Sequence, residues 1–343
     1  MKRDRTPLCC IVLLLFGWSA MEAYAQSTTA QTHVAAAKAA VYRPGQDFSY
    51  VFDSVCAEPK PSPSLAAQPT TAPATRTSPP RSEWYAEPTK VFDNLYFVGS
   101  ISDSVWAVKT SEGIILVDTG QDYSVKELVA NGLNKLGLDP TQIKYAIVTH
   151  PHGAPSYGAR FLQDTYRPRI ILSEADWNVM AKSNVPAELK PKKDMVATDG
   201  MKLTLGDTTL TLYITPGHTP GTISVLVPLK DGNQTHLGYI LGGMGWDVGR
   251  DGVQYFSDES EALRTWSASI KRFRDIALKA GADVYLSIHP HHNKTLEMIN
   301  VLRFRRPGGP HPFVNKEAIQ NHATVMTECM DAQLAWLRIG RSN

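Results

Sequence analysis

Three histidines stand in two short segments whose residue types are typical of metal sites. His150 and His152 are one residue apart, and His218 lies in the glycine-rich segment Thr215 to Gly221. Neutral imidazole is a common zinc ligand, and three imidazoles leave one tetrahedral position open for water. A zinc ion in such a site lowers the pKa of that water to about 7. The two segments therefore predict a site for one zinc ion.

The H-x-H pair has a second interpretation when it is taken alone. Alternate residues at a strand end share one face, so His150 and His152 could simply lie on a solvated surface. His218, in its glycine-rich setting, favours the metal site.

Several other residues are weaker candidates. His289, in Ser287-Ile288-His289-Pro290, is either a metal ligand or a hydrogen-bonding loop residue. His291 and His292 follow it, and an exposed pair is favoured over a pair of replacement ligands. Trp246, Tyr255 and Phe256 form either an apolar wall of a substrate cleft or part of the core.

The elements that must position these residues follow from the apolar patterns. The apolar run Ile143 to Val148 predicts a short buried strand that ends just before His150 and His152. Ser124 to Leu136 predicts an amphipathic helix that ends at Gly137. From Trp84 onward strands alternate with helices in two strand-rich halves, which predicts an α+β architecture of layered sheets with helices outside.

The segments that contain the candidate ligands resemble those of a known protein family. Residues 150–158 resemble the H-x-H-x-D-H-x-G-G signature of the metallo-β-lactamase superfamily, and the pattern is most similar to the third subclass of metallo-β-lactamases. Leu116 to Gly120, Gly217 to Gly221 and Ser287 to Pro290 match the family in the same order. The resemblance covers about Val91 to Asn293. It implies the αββα metallo-β-lactamase sandwich, in which two packed β-sheets are flanked by helices.

The resemblance also shows where this sequence departs from the family. It implies that His150, His152 and His218 hold the first zinc and that Asp118 either supports the ligands through hydrogen bonds or has a structural role. The second zinc would need ligands at two positions where this chain has Ala154 and Pro155, and neither side chain coordinates a metal. Of the second set only His289 remains. The expectation is therefore at most one zinc ion.

Two hypotheses of function follow from the missing ligands of the second zinc. The first is a hydrolase in which zinc-bound water attacks a small-molecule substrate with a hydrolysable carbonyl, such as a β-lactam, ester, thioester or lactone. The second is a catalytically inactive pseudoenzyme of the same fold that acts as a binding or interaction module. Nothing in the composition suggests a nucleic-acid partner, since the 343 residues carry a net charge of only +2.

The amino-terminal residues predict export. Three basic residues precede the apolar run Leu8 to Trp18, and Ala23-Tyr24-Ala25 follows, which is typical of a signal peptide over residues 1–25. The mature protein is expected in the periplasm or outside the cell, without a membrane anchor. Residues 26–83 are expected to be a disordered, proline-rich segment, 84–300 the metallo-β-lactamase-like domain, and 301–343 a helical extension packed on that domain.

Removal of the signal peptide leaves two cysteines, Cys56 and Cys329. Because disulfides persist in an oxidising compartment, we predict that these two residues pair. Two unpaired buried thiols are the alternative.

Overall fold

The computed structural model describes residues 28–58 and 78–341. The expected signal peptide and most of the proline-rich stretch lie outside the described residues. Among the helices within those two ranges, none combines the length and the apolar character needed to cross a membrane.

Two sheets form the centre of the fold. The larger has seven strands in the order β3-β4-β5-β6-β7-β8-β9, and the smaller has five strands in the order β10-β11-β12-β13-β16. Two short ribbons, β1-β2 and β14-β15, lie apart from them. The strands are β1 Tyr42–Arg43, β2 Gln46–Asp47, β3 Thr89–Phe92, β4 Leu95–Phe97, β5 Trp106–Thr110, β6 Gly113–Val117, β7 Ile143–Ile147, β8 Arg169–Ser173, β9 Met195–Ala197, β10 Met201–Leu205, β11 Thr208–Ile214, β12 Ile223–Asp231, β13 Gln234–Ile240, β14 Gly249–Arg250, β15 Val253–Gln254 and β16 Val284–Leu286.

Helices cover the outer face of each sheet. The helix α3 begins with a π-helical turn, Lys126–Ala130, and continues as Asn131–Lys135. The other helices are α1 over residues 28–41, α2 Ser49–Val55, α4 Gly153–Ser156, α5 Ala159–Tyr166, α6 Glu174–Lys182, α7 Glu259–Lys279, α8 Thr295–Leu302 and α9 Lys316–Arg341.

Three apolar clusters show how the layers pack. Side chains such as Trp106 and Leu210 fill the space between the two sheets. Leu133 and Trp177 join the seven-stranded sheet to α3 and α6, while Trp266 and Met326 join the five-stranded sheet to α7 and α9. The order of layers is thus helix, sheet, sheet, helix, and the predicted αββα sandwich is confirmed.

The segment before the sandwich differs from the expected disorder. Residues 28–41 form α1, in which Ala30, Ala37 and Ala40 are buried. Ala30 packs against Ala332 and Ala335 of α9. Alanine has the highest helix propensity of all residues, and its small side chain lets two helices approach closely. An alanine-rich composition therefore produced a docked helix here.

The predicted disulfide is present. Cys56, at the end of α2, is bonded to Cys329 in the middle of α9, at a separation of 273 residues. Both residues belong to the cluster that packs the five-stranded sheet against its helices. The bond therefore ties the amino-terminal segment to the outer layer of the sandwich.

Candidate metal centre

The segment that carries His150 and His152 follows strand β7 directly. Strand β6 runs parallel to β7, so Asp118, just after β6, lies beside Thr149, just after β7. The Asp118 carboxylate accepts hydrogen bonds from the Thr149 backbone N–H at 2.8 Å and from its hydroxyl at 3.1 Å. Burial raises the pKa of Asp118 to about 7, and the bonds from Thr149 oppose this rise. Asp118 thus holds Thr149, the residue that immediately precedes His150, in a fixed position.

The turn between β11 and β12 carries His218. Gly217 adopts a φ of +136°, and a Cβ on it would lie 2.3 Å from the Cα of Trp266. The turn is closed by hydrogen bonds from Thr215 N to Thr222 O at 2.8 Å and from Gly217 N to Thr219 O at 3.0 Å. Only glycine fits such a backbone against the α7 helix. The glycine-rich pattern is therefore the means by which His218 is held close to the helix layer.

The three predicted histidines converge. One nitrogen atom of each ring lies within 4.8 Å of a nitrogen of the other two. The ring centroids are 4.4 Å apart for His150 and His218 and 5.0 Å apart for the two pairs that include His152. All three residues are buried. Within residues 28–58 and 78–341, no other group of three ligating side chains is close enough to share an ion.

Neighbouring groups determine which ring nitrogens remain for a metal. Nδ1 of His150 donates to the Gly242 carbonyl at 2.7 Å, which leaves Nε2 of that ring. Nε2 of His152 is 2.9 Å from the Tyr255 hydroxyl, which leaves Nδ1, and this atom is 3.2 Å from Nε2 of His218. Two nitrogens bound to one tetrahedral zinc at about 2.0–2.1 Å lie roughly 3.3 Å apart. The observed spacing therefore fits two ligands of one ion.

The electrostatics of the site favour the neutral rings that a metal needs. Burial is the largest cause that lowers the pKa of each histidine, and the neighbouring rings add to the effect for His150 and His152. For His218, burial and the charge of Arg250 lower the pKa to about 3. Zinc binds the deprotonated form of histidine, so these rings are ready to bind zinc near neutral pH without first losing a proton.

The two substituted ligand positions and His289 lie in defined places near the three histidines. Ala154 and Pro155 are buried in the short helix α4, and the Pro155 carbonyl accepts hydrogen bonds from the Thr119 N–H and hydroxyl. His289 is not a member of the three-histidine group. Its Nδ1 lies 3.0 Å from the Ser102 carbonyl and 3.3 Å from an Asp103 carboxylate oxygen. The structure thus brings three of the four predicted ligands together and leaves His289 in a separate ion pair.

Two other expectations have clear outcomes. Tyr255 does border the histidines, and its ring stacks on His152 with centroids 5.8 Å apart. Trp246 packs with the outer cluster around α7 and donates to Glu259. His292 is buried, contrary to the expected exposed pair, because the Tyr50 ring of α2 covers it and its neighbour His291.

Sequence reasoning missed two groups that hold the histidines: the Gly242 carbonyl and the Tyr255 hydroxyl. A signal for the first was present in the Gly242-Gly243 pair. A Cβ on Gly243 would lie 2.5 Å from Cγ of His218, so this backbone approaches the site as closely as glycine allows.

Comparisons with known proteins agree with this geometry. Residues 100–232 match the model of the metallo-β-lactamase superfamily, and this range contains all three histidines. The subclass B3 metallo-β-lactamase BJP-1 of Bradyrhizobium japonicum is 27% identical, with a TM-score of 0.61 over 74% of this chain and 95% of that chain. The metallo-β-lactamase MIM-1 of Novosphingobium pentaromativorans is 21% identical, with a TM-score of 0.64 over 76% of this chain and 94% of that chain. At that identity MIM-1 shows the fold alone.

A curated relative is similar over a shorter range. The hydroxyacylglutathione hydrolase of Neisseria meningitidis serogroup A is 27% identical over 145 residues, which are 42% of this chain and 50% of that protein. The chain thus spans about half the length of the curated relatives it matches. The sandwich and these matches together show that the chain has the metallo-β-lactamase fold and that residues 100–232, which carry the three converging histidines, are similar to the metallo-β-lactamase superfamily.

Proposed function

We propose that this chain is a hydrolase of small carbonyl compounds that uses one zinc ion held by His150, His152 and His218. The observation that carries the proposal is the convergence of three buried, neutral imidazoles, each with one nitrogen left for a shared ion. Zinc in such a site supplies Lewis acidity and a water nucleophile at neutral pH.

The residues of the chain supply the orientation that such a site requires. The Gly242 carbonyl holds His150, and the Tyr255 hydroxyl holds His152. Hydrogen bonds to the outer nitrogen of a ligating histidine fix the ring and its tautomer. Burial of the three rings excludes bulk water from the side of the site that faces the core.

The loss of the second ligand set favours particular substrates. With Ala154 and Pro155 in α4, the chain offers no carboxylate at that position to orient water, and it offers no second cation for a departing nitrogen. The rate of amide hydrolysis is reduced most by this loss, because an amide nitrogen is a poor leaving group. We therefore propose that thioesters, esters and lactones are better substrates than β-lactams. Relatives named for both kinds of activity, a hydroxyacylglutathione hydrolase and a subclass B3 metallo-β-lactamase, support this range.

A second candidate function is a binding module without catalysis. The buried alanine and proline at two ligand positions favour it, since they remove groups that assist hydrolysis in an intact two-metal site. This candidate predicts that the fold is retained and that turnover is absent.

One experiment separates the two. The purified protein is tested for hydrolysis of a thioester, a lactone and a chromogenic cephalosporin, with and without a chelator, beside His150→Ala and His311→Ala. His311 is a matched control, since its Nε2 bonds the Val91 carbonyl, outside the three-histidine group. We expect chelator-sensitive turnover, fastest with the thioester, that is lost in His150→Ala and kept in His311→Ala. The absence of turnover of all three substrates would favour the binding module.

We also propose that the protein is exported. The bond between Cys56 and Cys329 supports this, because structural disulfides persist in oxidising compartments. Fractionation of cells that express the full sequence tests it: recovery of a shortened chain in the periplasm or medium is expected, and recovery of the full-length chain in the cytoplasm would contradict it.

A further inference from the structure

A buried carboxylate lies behind His218. Asp176, in the first turn of helix α6, is 1% exposed. One of its oxygens accepts a hydrogen bond from the Thr219 hydroxyl at 2.7 Å, and the other accepts from the Gly221 N–H at 2.9 Å. Both partners belong to the turn that carries His218, and Thr219 is the next residue along the chain.

The hydrogen bonds around Thr219 have a defined direction. The Thr219 hydroxyl has one proton, and because the Asp176 carboxylate accepts it, the Thr222 hydroxyl at 2.7 Å is left to donate to Thr219. The Thr222 oxygen in turn accepts from the Thr219 N–H at 2.9 Å. Asp176 therefore fixes the direction of the hydrogen bonds between Thr219 and Thr222, which close the turn next to His218.

The helix and the turn also touch directly. A Cβ on Gly221 would lie 1.9 Å from the Ser173 hydroxyl and 2.8 Å from the Asp176 backbone nitrogen. Ser173 is the residue that caps α6, accepting from the Asp176 N–H at 3.1 Å. The amino-terminal end of a helix favours negative charge, so this end of α6 is a suitable place for a buried carboxylate. Burial still raises the pKa of Asp176 to about 7, against the two hydrogen bonds that lower it.

We propose that Asp176 is a positioning residue of the metal centre, which sets the place of His218 through Thr219 and Gly221. This role rests on the proposed zinc site. Each ligand then has its own support: Gly242 holds His150, Tyr255 holds His152, and Asp176 holds the turn of His218. The family signature does not include Asp176, and nothing in its local sequence marks it beyond a helix start.

The test compares zinc affinity with stability. Asp176→Asn leaves one accepting oxygen for two donors, so either Thr219 or Gly221 loses its partner. Thr219→Val keeps the shape of the side chain and removes the donated proton, whereas Thr219→Ser keeps the hydroxyl. The dissociation constant for zinc is measured by competition with a chromogenic chelator at pH 8, and the melting temperature of each zinc-free protein is measured in parallel.

Asn94→Ala is the matched control for a general loss of stability. Asn94 is also buried, and its side chain bonds the Pro228 carbonyl and the Lys230 N–H, toward the end of β12 that is remote from His218. We expect Asp176→Asn and Thr219→Val to raise the dissociation constant about 10-fold, as is typical for partners of metal ligands. Thr219→Ser is expected to stay within about twofold of the wild type. Asn94→Ala is expected to lower the melting temperature with no change in affinity.

The outcomes separate this role from the proposed function. A wild-type protein that binds zinc, with the same affinity in Asp176→Asn and Thr219→Val, would overturn the role of Asp176 alone. That role is also overturned if Asn94→Ala weakens zinc binding as much as Asp176→Asn does. A wild-type protein that binds no zinc would overturn the proposed site, and the positioning role with it.

Discussion

The hydroxyl of Tyr255 lies 2.9 Å from Nε2 of His152, and the two rings stack at an angle of 19°. Tyr255 follows the β14-β15 ribbon, and its N–H bonds the Val248 carbonyl at 2.8 Å. A small ribbon outside both sheets thus fixes which nitrogen of His152 faces the other histidines. This contact connects the loop after β13 to the proposed metal centre.

Tyr255→Phe tests that contact. The variant keeps the stacked ring and removes the hydroxyl, so we expect the dissociation constant for zinc to rise about 10-fold with little change in the melting temperature. Tyr85→Phe is a suitable control, because the Tyr85 hydroxyl bonds Glu87 on the surface. An unchanged affinity in Tyr255→Phe would show that the hydroxyl does not orient His152.

The lowered pKa of His218 predicts a pH dependence of stability in the zinc-free protein. Its pKa falls from 6.5 to about 3 on folding, so below pH 6.5 the unfolded chain takes up a proton that the folded chain does not. His218 therefore costs stability as the pH falls. His218→Asn removes this cost, and the difference in unfolding free energy between variant and wild type should shift by ~2 kcal/mol in favour of the variant between pH 7.5 and pH 5.

Urea denaturation of both zinc-free proteins at the two pH values measures this shift. A difference that stays constant with pH would mean that His218 titrates in the folded protein much as it does in the unfolded chain.

Restoring the two missing ligands should restore a second metal. We expect Ala154→Asp combined with Pro155→His to bring zinc content to about two ions per chain and to increase hydrolysis of the cephalosporin. Elemental analysis and turnover measure the two effects. If the double variant folds and its metal content is unchanged, then the backbone of α4 does not present these positions to His289.

The disulfide should contribute to stability because it closes a long loop. Cys56 and Cys329 are 273 residues apart, and the loss of such a bond typically costs about 2–5 kcal/mol. We expect Cys56→Ser combined with Cys329→Ser to lower the unfolding free energy by that amount and to make the segment 28–58 more sensitive to proteolysis. Peptide mapping that recovers both cysteines of the wild type as free thiols would contradict the bond.

Some of this structure could be predicted from the sequence, for physical reasons that individual residues illustrate. The convergence of His150 and His152 with His218 was predictable from the resemblance of their two segments to the metal-ligand segments of the metallo-β-lactamase superfamily. The disulfide was predictable because the expected signal cleavage leaves only two cysteines.

The remainder depends on contacts between distant segments. Tyr255 reaches His152 across 103 residues, and no periodic pattern marks a tyrosine beside a two-residue strand. Asp176 resembles an ordinary first-turn residue, because acidic residues are favoured in the first turn of helices throughout proteins. The helix α1 was missed because low-complexity composition suggested disorder, whereas the alanines pack on a partner helix far along the chain.

The central claim is that three imidazoles share one zinc ion, and the zinc content of the purified protein tests it most directly. After loading with excess zinc and exhaustive dialysis against metal-free buffer, elemental analysis should find about one zinc per chain in the wild type and in His311→Ala, and close to none in His150→Ala and His218→Ala. A wild type without zinc, or a variant of His150 and His218 together that keeps its zinc, would contradict the account.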